Sequence, residues 1–140
     1  MSEHPLYTFA DGGDSCRILR PDPPRHWYNY LWNEDRYCAQ VSQLGHGRSY
    51  YLSEKAEMCQ INTDSARYLY VRDDDTNTSW NIGYGPLGTP VEDYACTHSI
   101  ASSLLLSKKD GIAGAWRLFV PRTGHHEVWC VTCLLYTSDA

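Results

Sequence analysis

Apolar and polar residues alternate along most of this chain, and the alternation predicts strands rather than helices. In Arg67 to Asp73, "RYLYVRD", Tyr68, Tyr70 and Arg72 fall on one face and Leu69 and Val71 on the other. The run "DDDTNT" that follows is rich in turn-forming Asp and Asn, so "SWNIGY" reads as the returning strand of a hairpin. A stronger hairpin signal lies in "SSLLLSKKDGIAGAWRLFV", where Asp110-Gly111 separates two apolar runs. Another turn, Pro121 to Gly124, leads into a strand with Val128, Cys130 and Thr132 alternating against Trp129 and Val131. "RYCAQVSQ" and "RSYYLS" read as two further strands around Gly45 and Gly47, and "RPDPPRHW" (Arg20 to Trp27) as a stiff extended lead into the first main strand. Helix formers concentrate only in "SEKAEMCQI" (Ser53 to Ile61), which is short. Short strands with turns about every ten residues predict an all-β, antiparallel β-sandwich.

Composition narrows the classes. The chain carries a net charge of -5 with no basic cluster, which argues against a nucleic-acid partner. No apolar run approaches the ~20 residues of a membrane helix. The start "MSEHPLYTFADGG" lacks a charged-then-apolar signal, so no membrane is expected and the location is expected to be cytoplasmic. Six dispersed cysteines then read as free, mostly buried thiols. Eleven Tyr and five Trp against two Phe shift the aromatic content toward rings with a polar handle, which suit strands and also surfaces that meet sugars or proteins.

Candidate chemistry is sparse. Asp73, Asp75 and Asn77 open like a calcium loop, but Thr78 stands where Gly is required and Tyr84 where a bidentate Glu is required, so no metal is expected there. His125, His126, Cys130 and Cys133 do not form a zinc set, because adjacent histidines on a strand point to opposite faces and a second C-x-x-C is missing. Glu34, Asp35, Asp73 to Asp75, Glu92 and Asp93 all lie in polar, turn-like surroundings rather than in the apolar site that raises a general acid's pKa. No G-x-S-x-G nucleophile elbow occurs. The residues therefore predict no catalytic group, no cofactor and no metal site in this chain.

Three stretches taken together carry a resemblance: "RPDPPRHWYNYLWNEDRYCAQVSQLGHGRSYY", "YVRDDDTNTSWNIGYGPLGTPVEDYACTH" and "DGIAGAWRLFVPRTGHHEVWCVT". In this order and spacing they resemble the N-terminal β-sandwich (supersandwich-like) domain of glycoside hydrolase family 94, formerly glycosyltransferase family 36. The family holds cellobiose, chitobiose and related disaccharide phosphorylases together with cyclic β-glucan synthases. One departure is clear. Where the family reads Tyr-Glu-Cys-Arg-His-Gly-x-Gly-Tyr, this chain keeps Tyr94, Cys96 and His98 but has Ala95, Thr97, Ser99, Ala101 and Ser102.

The resemblance implies that residues 1–132 are the N-terminal part of such a domain, incomplete on its C-terminal side, from a longer enzyme whose catalytic barrel lies elsewhere. It implies inverting phosphorolysis by the parent of a β-linked disaccharide or oligosaccharide to a sugar 1-phosphate, with inorganic phosphate as co-substrate and one protein carboxyl as acid. This stretch alone is expected to be inactive. The alternatives are a stand-alone carbohydrate- or partner-binding β module, or a piece of a β-glucan-synthesising transferase of the same family. The implied partners are an oligosaccharide and a second subunit of a homodimer. Trp27, Tyr28, Tyr30 and Trp32 are the residues singled out for a dimer- or sugar-facing surface, with Tyr28, Tyr30 and Trp32 on one side of an extended segment. Burial tendency alone would instead lay these rings over the core. The end of the chain, "CLLYTSDA" (residues 133–140), falls outside the resemblance and is similar to the translated read-through of a transposon-end sequencing adapter, so it is expected not to be native.

Overall fold

The computed structural model describes residues 5–10, 12–63 and 66–136. Among them are twelve strands and no helix. They are β1 (Tyr7–Phe9), β2 (Ser15–Ile18), β3 (Tyr28–Trp32), β4 (Tyr37–Ser42), β5 (Ser49–Leu52) and β6 (Met58–Asn62) in the first half. The second half adds β7 (Tyr70–Asp73), β8 (Thr78–Asn81), β9 (Asp93–Ser99), β10 (Ser103–Lys109), β11 (Ile112–Phe119) and β12 (Val128–Leu135). A six-stranded sheet runs β1-β2-β9-β10-β11-β12, a four-stranded sheet runs β3-β4-β5-β6, and β7-β8 forms a separate hairpin. Every pairing is antiparallel, as the all-β reading requires.

The three sheets share one core. The large sheet supplies Ile18, Cys96, Leu105, Trp116 and Leu118; the small sheet supplies Leu31, Tyr37, Ala39 and Val41; the hairpin supplies Trp80 and Ile82. Alternation produces this: Leu69 and Val71 pack against the core while Tyr70 and Arg72 stay outside. Gly114 sits mid-strand on β11 because Ile82 packs there, and a Cβ would come within 2.7 Å of Ile82 Cδ1.

The local turn chemistry agrees with the sequence. Asp110 and Gly111 take φ of 50° and 80°, the two positive values of a two-residue hairpin between β10 and β11. Asp73 closes the β7–β8 loop by accepting from the backbone N–H of Asp75 at 2.9 Å and the Thr76 hydroxyl at 2.7 Å. The Pro-rich lead is pinned by buried Gln43, whose amide accepts from Trp27 N and donates to the Pro21 carbonyl. At the departure from the family pattern, residues 99–102 turn without any positive φ. Ser99 Oγ donates to the Ser102 carbonyl at 3.0 Å and accepts from Ser102 N at 3.2 Å, so a side-chain hydroxyl closes this turn.

One expectation, that the cysteines are mostly buried, needs correction. The short run of helix formers at Ser53 to Ile61 makes no helix, in keeping with the all-β expectation: Ser53 caps a tight loop through Ala56 N and Glu57 N, and Met58–Asn62 then pairs with β5 as a strand. Cross-strand bonding to β5 overrides a weak local propensity. The cysteines are free but not mostly buried: Cys96 is buried, Cys16, Cys38 and Cys59 are half-buried, and Cys130 and Cys133 are exposed because they lie on the outermost strand.

Strand β12 is eight residues long and uncharged, and among the described residues it pairs only with β11. Its own alternation puts Trp129, Val131, Cys133 and Leu135 on the face shared with Trp116 and Leu118, yet Val131 and Leu135 are exposed. Such an edge is a template for further pairing. A Thr132→Lys change is therefore expected to raise the soluble, non-associating fraction of this chain, measured by sedimentation of clarified lysate. An unchanged fraction would mean that β12 is not the associating edge.

Candidate functional site

Strand β3 shows its outer side to solvent. Tyr28, Tyr30 and Trp32 are 40%, 55% and 75% exposed, so the reading that these rings lie over the core is corrected. The alternate positions explain why. Leu31 enters the core, and the two asparagines on its side bond across to neighbouring elements. Asn29 Nδ2 donates to the carbonyl of Ser99 at 2.8 Å and to Ser103 Oγ at 3.1 Å. Asn33 Nδ2 donates to the carbonyls of Pro121 and Gly124 at 3.0 and 2.7 Å, and its Oδ1 accepts from Tyr37 N at 3.0 Å. With Asn29, Leu31 and Asn33 fixed inward, residues 28, 30 and 32 must face out. Trp27 parts from this group: it is half-buried, packs against the core and meets Tyr7 edge-on at 4.9 Å.

Register extends the outer face across the sheet. Trp32 lies opposite Cys38, Cys38 opposite Tyr50, and Tyr50 opposite Gln60; Tyr30 lies opposite Gln40. Gln40 Nε2 donates to Tyr30 Oη at 3.2 Å. Tyr50, Gln40 and Gln60 were not singled out by the sequence reading, because their place beside Tyr30 and Trp32 depends on strand pairing.

The sequence also missed a buried ion pair. Arg67, 3% exposed, donates from Nε to Glu127 Oε1 at 2.6 Å and from Nη2 to Oε2 at 2.7 Å. Its Nη1 reaches the carbonyls of Gln40 and Gly47 at 2.8 and 2.9 Å. Glu127 accepts further bonds from Trp129 Nε1 at 2.8 Å and Tyr37 Oη at 3.2 Å. Burial pushes the Glu127 carboxyl up, but the Arg67 guanidinium and the two further donors outweigh burial and hold it below the usual carboxylate range. A carboxyl held ionised with its lone pairs engaged is the opposite of a general acid, so this cluster ties β4, the turn before β5 and the start of β12 together. The same burial, with the neighbouring Glu127 charge, pushes the Tyr37 hydroxyl up to about 12. Arg67 has φ of 124°, a conformation that side-chain-bearing residues rarely adopt and that its bonds hold in place.

The other carboxylate candidates are engaged by neighbouring groups at the surface. Glu34 pairs with Arg122 at 2.9 Å, Asp35 accepts from Gly124 N at 2.6 Å, Asp74 pairs with Arg72 at 2.9 Å, and Glu92 accepts from Asp110 N at 2.9 Å. His125 stacks on Tyr51 at 4.0 Å beside a shallow pocket of about 410 Å³. Cys130 and Cys133 lie opposite Arg117 and Gly114, on different faces of β12. Among the described residues no group of three or more His, Cys, Asp or Glu side chains is placed to hold a metal ion, and no helix is long and apolar enough to cross a membrane. The large sheet's outer face carries a groove of about 680 Å³ floored by Ala95, Ala113 and Ala115.

Half-buried His46 and His98 add a pH dependence. Burial lowers both imidazoles; backbone hydrogen bonds, to Gly85 and Trp27 respectively, only partly oppose it. Both take up protons more readily unfolded than folded, so stability falls as pH drops through the unfolded value of 6.5. The thermal midpoint is expected to fall between about pH 7 and about pH 5 by calorimetry, and less steeply in His98→Gln. An unchanged slope in that variant would remove His98 from the account.

A Pro-rich lead pinned by Gln43, an acidic hairpin and the β9–β12 meander follow one another along the chain. The family profile described as "Glycosyl hydrolase 94, supersandwich domain" matches residues 16–134. The chain belongs to this family. The family 94 chain is 36% identical over 124 residues to the 3-O-beta-D-glucopyranosyl-beta-D-glucuronide phosphorylase of Paenibacillus borealis, covering 89% of this chain and 16% of the relative. It is 30% identical over 133 residues to the solabiose phosphorylase of the same organism, 89% of this chain and 17% of the relative. It is 32% identical over 130 residues to the N,N'-diacetylchitobiose phosphorylase of Vibrio furnissii, 87% of this chain and 16% of the relative. The family 94 chain thus spans about one sixth of the length of these relatives. The matched residues run two positions past Thr132, and β12 continues to Leu135; residues 137–140 lie outside the described residues.

Proposed function

We propose that this domain serves a glycoside phosphorylase as a non-catalytic β-sandwich, and that the parent enzyme carries out inverting phosphorolysis of a β-linked disaccharide or oligosaccharide. The observation that carries the reading is the match of nearly nine-tenths of this chain to relatives named as phosphorylases. The geometry supports the non-catalytic part: the Glu127 carboxylate, held in a buried network, is kept ionised by Arg67, while the surface carboxylates of Glu34, Asp74 and Glu92 are engaged by Arg122, Arg72 and the Asp110 backbone N–H. In the reaction, a carboxylic acid of the parent protonates the glycosidic oxygen while a phosphate oxygen attacks the anomeric carbon from the opposite face. The C–O bond to the leaving sugar breaks as the new C–O–P linkage forms, giving a sugar 1-phosphate and a shortened saccharide. The domain's part is to present a surface to saccharide or to a second subunit.

The test pairs this chain with the product of the full-length gene. Incubated with β-linked disaccharides and inorganic phosphate, the full-length protein is expected to release sugar 1-phosphate in a phosphate-dependent way, and this chain alone none. Phosphate-independent release of free sugar, or transfer from a nucleotide sugar, would replace the phosphorylase reading. Turnover by this chain alone would overturn the non-catalytic one.

A further inference from the structure

We propose that the outer face of the β3-β4-β5-β6 sheet is a saccharide-binding platform for an extended β-linked glucan chain, whose pyranose rings stack on Tyr28, Tyr30 and Trp32. Tyr50, Gln40 and Gln60 would hydrogen-bond its hydroxyls. The inference deepens the proposed function by giving the domain's carbohydrate contact a place and a ligand class, and it rests on that reading.

Four observations carry it. The first is spacing. Alternate residues of a strand repeat at about 6.7 Å, so three rings on one face make a straight row of about 13 Å, long enough for successive sugar rings of an extended chain. The second is rigidity. The inward residues of β3 are tied down by Asn29 and Asn33 and by Leu31 in the core, and Gln40 holds Tyr30 by its hydroxyl. A preformed row loses little freedom when a ligand settles on it.

The third is the chemical make-up of the patch. Its outward strand positions are Tyr28, Tyr30 and Trp32 on β3, Cys38, Gln40 and Ser42 on β4, and Tyr50 and Gln60 beyond them, with Leu52 and Met58 at the far end; none of these is charged, in a molecule with 17 acidic and 12 basic residues, and Arg48 lies close to Tyr50. Flat rings alternating with amides and phenols complement a pyranose, which offers C–H bonds on its faces and hydroxyls around its rim. β-Linked glucose is the best match because its equatorial hydroxyls leave both faces flat. The fourth is exposure. Trp32 is 75% exposed, and covering its indole with a ligand would remove that apolar area from water.

The experiment is affinity electrophoresis of this chain in native gels containing soluble mixed-linkage β-glucan, with polyethylene glycol as the polymer control. The wild type is expected to be retarded by the glucan and not by polyethylene glycol. Trp32→Ala and Tyr30→Ala are each expected to weaken retardation about tenfold, a loss of stacking and contact area. Both positions are exposed, so an unchanged thermal midpoint verifies the fold, and Gln60→Ala is a milder third variant. No retardation of the wild type, or equal retardation of wild type and both ring variants, would overturn the platform. Self-association that disappears in Trp32→Ala with no effect of glucan would overturn it too, and would make the face an interface between copies. The readout is binding, so it stands whether or not the full-length protein is a phosphorylase. A phosphorylase whose domain ignores glucan would sink only the platform.

Discussion

Replacing Glu127 by Gln is expected to lower the unfolding free energy by about 3–5 kcal/mol, read from the urea midpoint at neutral pH. The amide keeps the shape of the carboxylate but not its charge. Arg67 is 3% exposed, so its guanidinium would stay buried with only neutral acceptors, the carbonyls of Gln40, Gly47 and Arg48. Tyr37→Phe removes one donor to the same carboxylate and is expected to cost about 1 kcal/mol. The double change Arg67→Met with Glu127→Leu removes both charges together and is expected to restore part of the loss. The sign of the pH effect follows from the lowered Glu127 pKa: its contribution is complete above the ordinary value of 4.5 and is lost as pH falls through the lower folded value. That acid loss is expected to vanish in Glu127→Gln. A variant as stable as wild type would show that Arg67 finds its compensation elsewhere.

Gly47→Ala is expected to be at least as damaging, above about 4 kcal/mol or a failure to accumulate folded protein. A Cβ at residue 47 would lie 2.0 Å from the Gln40 carbonyl oxygen and 2.7 Å from its carbon, both backbone atoms that cannot turn aside. The φ of 140° adds strain for any side-chain-bearing residue. The two predictions are linked. The Gly47 and Gln40 carbonyls both accept from Arg67 Nη1, so moving either backbone to relieve the clash loosens the ion pair. Circular dichroism of the purified variant, with its urea midpoint, checks this; a folded Gly47→Ala of near wild-type stability would rule out the close approach.

The legible part of the fold was local. Asp110-Gly111, the Asp73 loop and the alternation around Val71 each encode a turn or a face through a few neighbouring residues, and each is found as read. The family and the all-β architecture followed from several such stretches in order. At Ser53 to Ile61 a weak helix preference left the strand Met58–Asn62 unread, because its partner, β5, was not yet in view. The aromatic row was legible on β3 itself, since period-two alternation puts residues 28, 30 and 32 together. Whether that row faced the core or the solvent was not, because Leu31, Asn29 and Asn33 are as compatible with one side as the other until their partners at Ser99, Ser103 and Pro121 are placed.

By itself, then, the sequence determined strands, turns and kinship, because those depend on residues within a few positions of each other and on their order. Only the tertiary structure decided what crosses the chain. It brought Glu127 to Arg67, sixty residues away, and set Tyr50, Gln40 and Gln60 beside the β3 rings. A long side chain such as Arg67 reads as surface in any sequence, since burial of a charge is costly unless a partner arrives from elsewhere. Here the partner arrives through the packing of the two sheets, which no local pattern records.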